Sequence, residues 1–68
     1  MKNSVERRRK EKSINQEAFA LAMKVSRQTI SAIENGRYNP SVTLAYKIAS
    51  YFNCTIEEVF EFEEEEHE

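Results

Sequence analysis

Two capping side chains, Asn15 and Ser26, stand eleven positions apart, and a stop signal, Asn35-Gly36, follows the second. Short polar side chains of this kind accept hydrogen bonds from the free amides that open a helix. Glycine takes the left-handed conformation that closes one. The spacing therefore predicts a helix from Gln16 to about Met23, a turn at Lys24 and Val25, and a second helix from Arg27 to Glu34. So tight a turn leaves two helices of about eight residues crossing at a steep angle. Such a pair folds only when other elements cover its apolar sides.

The flanking sequence supplies them. Ser4 is placed to cap a first helix that runs through Arg7, Arg8, Arg9 and Lys10 to about Lys12. After a loop of Arg37, Tyr38, Asn39 and Pro40, Ser41 caps a helix from Val42 to Phe52. Its residues Val42, Ala45, Ile48, Ala49 and Phe52 recur at steps of three and four, the pattern of a buried stripe, with Lys47 and Ser50 left for solvent. Thr55 and Glu58 match a capping box that opens a short fifth helix, Ile56 to about Phe60. Phe60-Glu61-Phe62-Glu63 then alternates as a half-exposed strand would, and is expected to pair with Lys2 and Asn3. The fold class is all-α with five helices and that one short C-terminal strand. Residues 1–62 make a single domain, its helix-turn-helix at about 16–34, and residues 63–68 an acidic tail. Ile30, Ile33, Val25, Phe19, Ala20, Ile48 and Phe52 are the expected core.

Charge is segregated along this chain. Residues 1–56 carry all ten Lys and Arg against four Glu, a net +6, whereas residues 57–68 carry eight Glu and no cation, a net −8. The overall −2 thus hides a basic body, the footprint of phosphate binding. Enzymatic chemistry finds little support. There is one His, in the tail, with no Asp, no Trp and one Gly, so neither a nucleophile–base set nor a phosphate-cradling glycine loop can be assembled. No catalytic residue, metal ligand, cofactor or small-molecule ligand is expected, and His67 among its glutamates reads as part of a solvated charge run. The longest apolar run, Ala18 to Met23, is far short of the ~20 residues a spanning helix needs, so no membrane partner is expected. The single Cys54 fits a reducing, cytoplasmic setting.

The run Val25-Ser26-Arg27-Gln28-Thr29-Ile30-Ser31-Ala32-Ile33-Glu34-Asn35-Gly36-Arg37-Tyr38-Asn39-Pro40-Ser41, preceded by Asn15-Gln16-Glu17, resembles the Cro/C1-type (Xre) helix-turn-helix family, whose fold is the lambda-repressor-like domain. The similarity covers roughly residues 3–62. It implies a sequence-specific regulator, a repressor that binds an inverted repeat in double-stranded DNA as a homodimer. The helix after the turn would enter the major groove. Carried over residue by residue, the resemblance makes Arg27, Gln28, Ser31 and Ala32 the base readers. Arg suits guanine O6 and N7, Gln suits adenine N6 and N7, and Ala32 could touch only a thymine methyl. Asn15, Gln16, Ser26 and Thr29 would hold one stretch of phosphates, and Asn35, Arg37, Tyr38 and Asn39 a second. Arg9 and Glu34 match positions that commonly pair across the fold.

Three residues depart from the family pattern. Lys24 occupies the turn position usually given to Gly, at a cost of roughly 1 kcal/mol if left-handed. Arg8 stands where a core leucine is common, so either its stem packs with the head outward or helix 1 is rotated. Leu21 replaces a polar residue on an outer face. For the dimer, Ile56, Val59, Phe60 and Phe62 form an expected apolar patch near the C-terminus. The alternative reading, from a different class, is a protein-interaction module of antitoxin-like or anti-repressor type. It would use that apolar patch and the acidic tail to bind a protein partner.

Overall fold

A computed structural model describes residues 2–61. Within them the chain forms α1 (Val5–Glu11), α2 (Gln16–Met23), α3 (Arg27–Glu34), α4 (Val42–Tyr51) and α5 (Ile56–Val59). The fold is all-α. The strand expected over Phe60-Glu61-Phe62-Glu63 reduces to one antiparallel bridge between Asn3 and Phe60, flanked by the Ser4 N–H donating to the Val59 carbonyl and the Glu61 N–H to that of Lys2. Phe62 and the tail, residues 63–68, lie outside the described residues.

The starts of the helices follow from side chains. Asn15, Ser26 and Ser41 accept from the backbone amides of Ala18, Thr29 and Leu44, and Thr55 completes a reciprocal capping box with Glu58. Helix α1 differs from expectation. Ser4 makes no capping bond, because its hydroxyl takes the Arg8 Nε at 2.8 Å, and the Asn3 carboxamide oxygen instead accepts the Val5 amide at 3.0 Å. That bond, with Arg8 Nη2 reaching the Glu58 carbonyl, settles Arg8: its stem is half-buried and its head clamps α1 to α5.

Four helices end in the same way. Ser13, Lys24, Gly36 and Asn53 each take a positive φ, between 58° and 78°. The next residue then donates back to a carbonyl five positions earlier: Ile14 to Arg9, Val25 to Ala20, Arg37 to Ala32 and Cys54 to Ala49. After α1, α2 and α4 that next residue is apolar and packs on the core, the contact that usually locks this ending. After α3 it is Arg37, which is exposed. Three helix ends are thus fastened inward, and the end of α3 delivers a cation to solvent.

The core is one cluster. Val5, Phe19, Ile30, Ile33, Ile48, Val59 and Phe60 are almost wholly enclosed, and each such side chain contributes about 1.5 to 3 kcal/mol by leaving water. Phe19, Tyr51 and Phe52 add a mutually packed aromatic trio with centroids 5.3 to 5.4 Å apart. Two sequence expectations are corrected. Val42, read as part of the α4 stripe, is 79% exposed. It falls at the rim of the stripe, on the side of the helix that it shares with exposed Tyr46 and Ser50, and half-buried Leu44 packs against the cluster instead. Val59 and Phe60, read as an apolar patch for a partner chain, are 2% and 1% exposed. The bridge to Asn3 draws them against Val5, so they close the monomer's own core; Ile56 is half-buried beside them.

Candidate nucleic-acid interface

Helix α3 has two unlike sides. Ile30 and Ile33, one turn apart, are fully buried and fix the helix against α2 and the core. Glu34 accepts Arg9 Nε at 2.7 Å and Nη2 at 3.2 Å, and it also takes the Gln16 amide at 2.9 Å. Arg9 Nη1 meanwhile donates to the Ile14 carbonyl at 2.7 Å. This buried network joins α1, α2 and α3, and no buried side-chain N or O lacks a partner among the described residues. The hydrogen bond from Glu34 outweighs desolvation and raises the Arg9 pKa above an already high ordinary value, so the guanidinium is charged at any working pH.

The outer side of α3 is open. Arg27 and Gln28, in its first turn, are exposed, and neither side chain makes a hydrogen bond or ion pair among the described residues. Half-buried Ser31 and Ala32 follow one turn on. Arg27 lines a groove with Asn15, Glu17, Ala18, Leu21 and Val25, so the start of α2 and the start of α3 border one concavity. Asn15 spends its side-chain oxygen on the Ala18 amide at 2.8 Å. Ser26 does likewise with the Thr29 amide at 3.1 Å, and the Ser26 and Thr29 hydroxyls bond each other at 2.9 Å. These residues can offer a phosphate their remaining donors and the helix's free amides. The Gln16 side-chain amide donates inward to Glu34, and its backbone N–H stands among the free amides at the start of α2.

Asn35, Arg37, Tyr38 and Asn39 all stand exposed in the loop after α3. Tyr38 and Thr29 share a second groove with Lys24, Ser41, Thr43 and Lys47. The last four were not among the residues singled out for phosphate contact. From sequence, Lys24 bears on the fold through its backbone alone and Lys47 is left for solvent. Lys47 in fact donates from Nζ to the Met23 carbonyl at 2.9 Å, capping the last turn of α2 beside the bend. Its partnering across 24 residues left no local signal in the sequence.

Two short helices across a tight bend, the second anchored by its inner side and offering an unpaired arginine and glutamine from its first turn, define a helix-turn-helix nucleic-acid-binding module. Sequence comparison puts that module in a family. The helix-turn-helix family model matches residues 5–59. An uncharacterized HTH-type transcriptional regulator of Methanocaldococcus jannaschii is 47% identical over 97% of this chain and 100% of its own. Another of that description, YgzD of Bacillus subtilis, is 45% identical over 96% of this chain and 98% of its own. The control protein C.MunI of a Mycoplasma species is 37% identical over 85% of this chain and 80% of its own. The chain belongs to the Cro/C1-type helix-turn-helix family, a family of DNA-binding transcriptional regulators and not of enzymes. No helix among the described residues is long and apolar enough to cross a membrane.

Proposed function

We propose that this protein is a cytoplasmic, sequence-specific regulator that binds an inverted repeat in double-stranded DNA as a homodimer and represses by occluding a promoter. The observation that carries the reading is the pair Arg27 and Gln28, exposed and unpartnered at the start of a helix whose other side is fully buried. A rigid helix with free side chains able to make bidentate hydrogen bonds is the arrangement that reads base edges in the major groove. The surrounding groups support register rather than sequence. Free amides at the start of α2, the Ser26–Thr29 hydroxyl pair and the Arg37–Asn39 loop would meet phosphates on either side of the groove. One module of this size reads too few base pairs to single out a genomic site, so a two-fold pair on half-sites about 34 Å apart is the form that gives useful specificity.

The test is selection of bound duplexes from a random pool, followed by competition at about 0.15 M salt, where unspecific phosphate binding is weakened. An enriched inverted repeat whose enrichment disappears with Gln28→Ala is expected. Retention that ignores sequence and vanishes with added salt would reduce the activity to phosphate binding alone.

A further inference from the structure

The proposed pair needs a surface, and Val59 and Phe60 are spent on the monomer's core. Among the described residues, the large apolar side chains left outside are Leu21, Val42, Tyr46 and Tyr38, at 80%, 79%, 64% and 48% exposure. Two of these lie on α4, one turn apart. At 3.6 residues per turn, Val42, Tyr46 and Ser50 fall in one sector with Thr43 at its edge, and all four are exposed. The opposite sector, through Ala45, Ile48 and Phe52, is buried.

This outer face carries no charge, in a chain where charged residues make up 32%. The outer face of α1 is the contrast, with Glu6, Arg7, Lys10 and Glu11 all exposed. Charge decides between occupants. A DNA backbone would be met by cations, and a charged protein partner by opposite charges. A second copy related by a two-fold axis puts each residue opposite its own kind, so any charge near the axis would face itself. An uncharged face of one aliphatic, one aromatic and several hydroxyl groups avoids that repulsion, and its hydroxyls, both donors and acceptors, can pair with themselves.

We infer that the outer face of α4, centred on Tyr46 with Val42 and Ser50, is where a second copy of this chain docks; the inference rests on the homodimeric DNA-binding reading above. The face begins three residues beyond Asn39, so docking there draws the two copies' Arg37–Asn39 loops toward the axis.

Sedimentation of the full chain at tens of micromolar tests it, with Tyr46→Glu and Val42→Lys alongside. Both residues are exposed, so both variants should keep the helical circular-dichroism spectrum. The wild type is expected to be a dimer, and each variant to weaken dimerisation at least about tenfold, a typical cost for a like charge facing itself, while binding a duplex that holds one half-site as the wild type does. In a Cys54→Ala background, Tyr46→Cys should be joined to its partner by a short thiol cross-linker, and Leu21→Cys, equally exposed, should not. A wild-type dimer that both variants leave intact would overturn the α4 face and keep the dimer reading. A monomeric wild type would overturn both. Loss of half-site binding in a folded variant would move the face to the DNA and also overturn the inference.

Discussion

Helix α1 and the segment around α3 are both rich in cations, yet their cations are employed in opposite ways. On α1, Arg7 pairs with Glu11 and Lys10 with Glu6, each at 3.0 Å, Arg8 bridges Ser4 and the Glu58 carbonyl, and Arg9 is buried against Glu34. Around α3, Lys24, Arg27 and Arg37 make no ion pair or side-chain hydrogen bond among the described residues. The +6 of the body already cancels these three ion pairs, so the field that a ligand would meet comes from the cations outside them. Arg8 and Arg9 tie helices together, Arg7 and Lys10 pair within α1, and Lys24, Arg27 and Arg37 stand free on the bend, the exposed side of α3 and the loop beyond it. A charge count locates basic segments, and partnering decides which of them are available.

The largest effect should come from the α1 side of the comparison. Glu34→Ala leaves Arg9 charged, buried and without its bidentate partner, so denaturant unfolding should show a loss of about 3 to 5 kcal/mol. A chain of this size cannot spare that much. Stability equal to the wild type would mean that the network contributes nothing and that α1 is held by its apolar side alone.

On the α3 side the signs separate. Arg27→Ala should leave stability within about 0.5 kcal/mol, as a surface change does, and weaken binding to the selected duplex by about 1 to 3 kcal/mol. Arg7→Ala, with its salt-bridged side chain lying on the outer surface of α1, should change neither quantity comparably. Equal losses of DNA affinity for the two variants would erase the contrast.

Lys24→Gly probes a residue that belongs to both groups, being a free cation held at φ 64°. Relief of the left-handed lysine should raise stability by up to about 1 kcal/mol. The same change should flatten the dependence of DNA affinity on salt by roughly one phosphate contact. A less stable variant would show that lysine's stem contributes packing at the bend.

The smallest effect is on the outer pairs of α1. The hydrogen bond and charge of Lys10 hold the Glu6 carboxyl below its ordinary pKa. Its contribution is therefore fully present above the ordinary carboxylate range and disappears as pH falls through the lowered value. Glu6 is fully exposed, so salt screens the pair. Glu6→Gln should melt like the wild type at high salt, and acid should erase any difference seen at low salt. Arg9 runs the other way: its pKa is raised, so its own contribution is fully present below the ordinary arginine range and disappears only as pH rises through the raised value.

Much of the frame was legible in local chemistry. Asn15, Ser26, Ser41 and Thr55 each cap the helix expected of them, because an N-cap is decided within four residues. The bend at Lys24 and the stop at Gly36 were equally local. What misled was long-range. Ser4 looked like a cap, but its hydroxyl donates to the Val59 carbonyl 55 residues away while accepting from Arg8 Nε. Val42 stands three residues before Ala45 but shares its side of the helix with exposed Tyr46 and Ser50. Val59 and Phe60 read as surplus apolar residues, since nothing nearby in sequence shows Val5 and Asn3 waiting to receive them. At the candidate site the exposed residues were readable by resemblance, while the inward turn of Gln16 and the anchoring of Lys47 depend on partners 18 and 24 residues away.

The central claim is that the unpaired residues of α3 read bases. The most direct test measures wild type and Arg27→Ala on the selected duplex and on a set of its single-base variants. If Arg27 reads a base, its removal collapses discrimination at one position of each half-site and leaves the others as they were. A loss of affinity spread evenly over every duplex would show that Arg27 meets only phosphate, and would contradict the account.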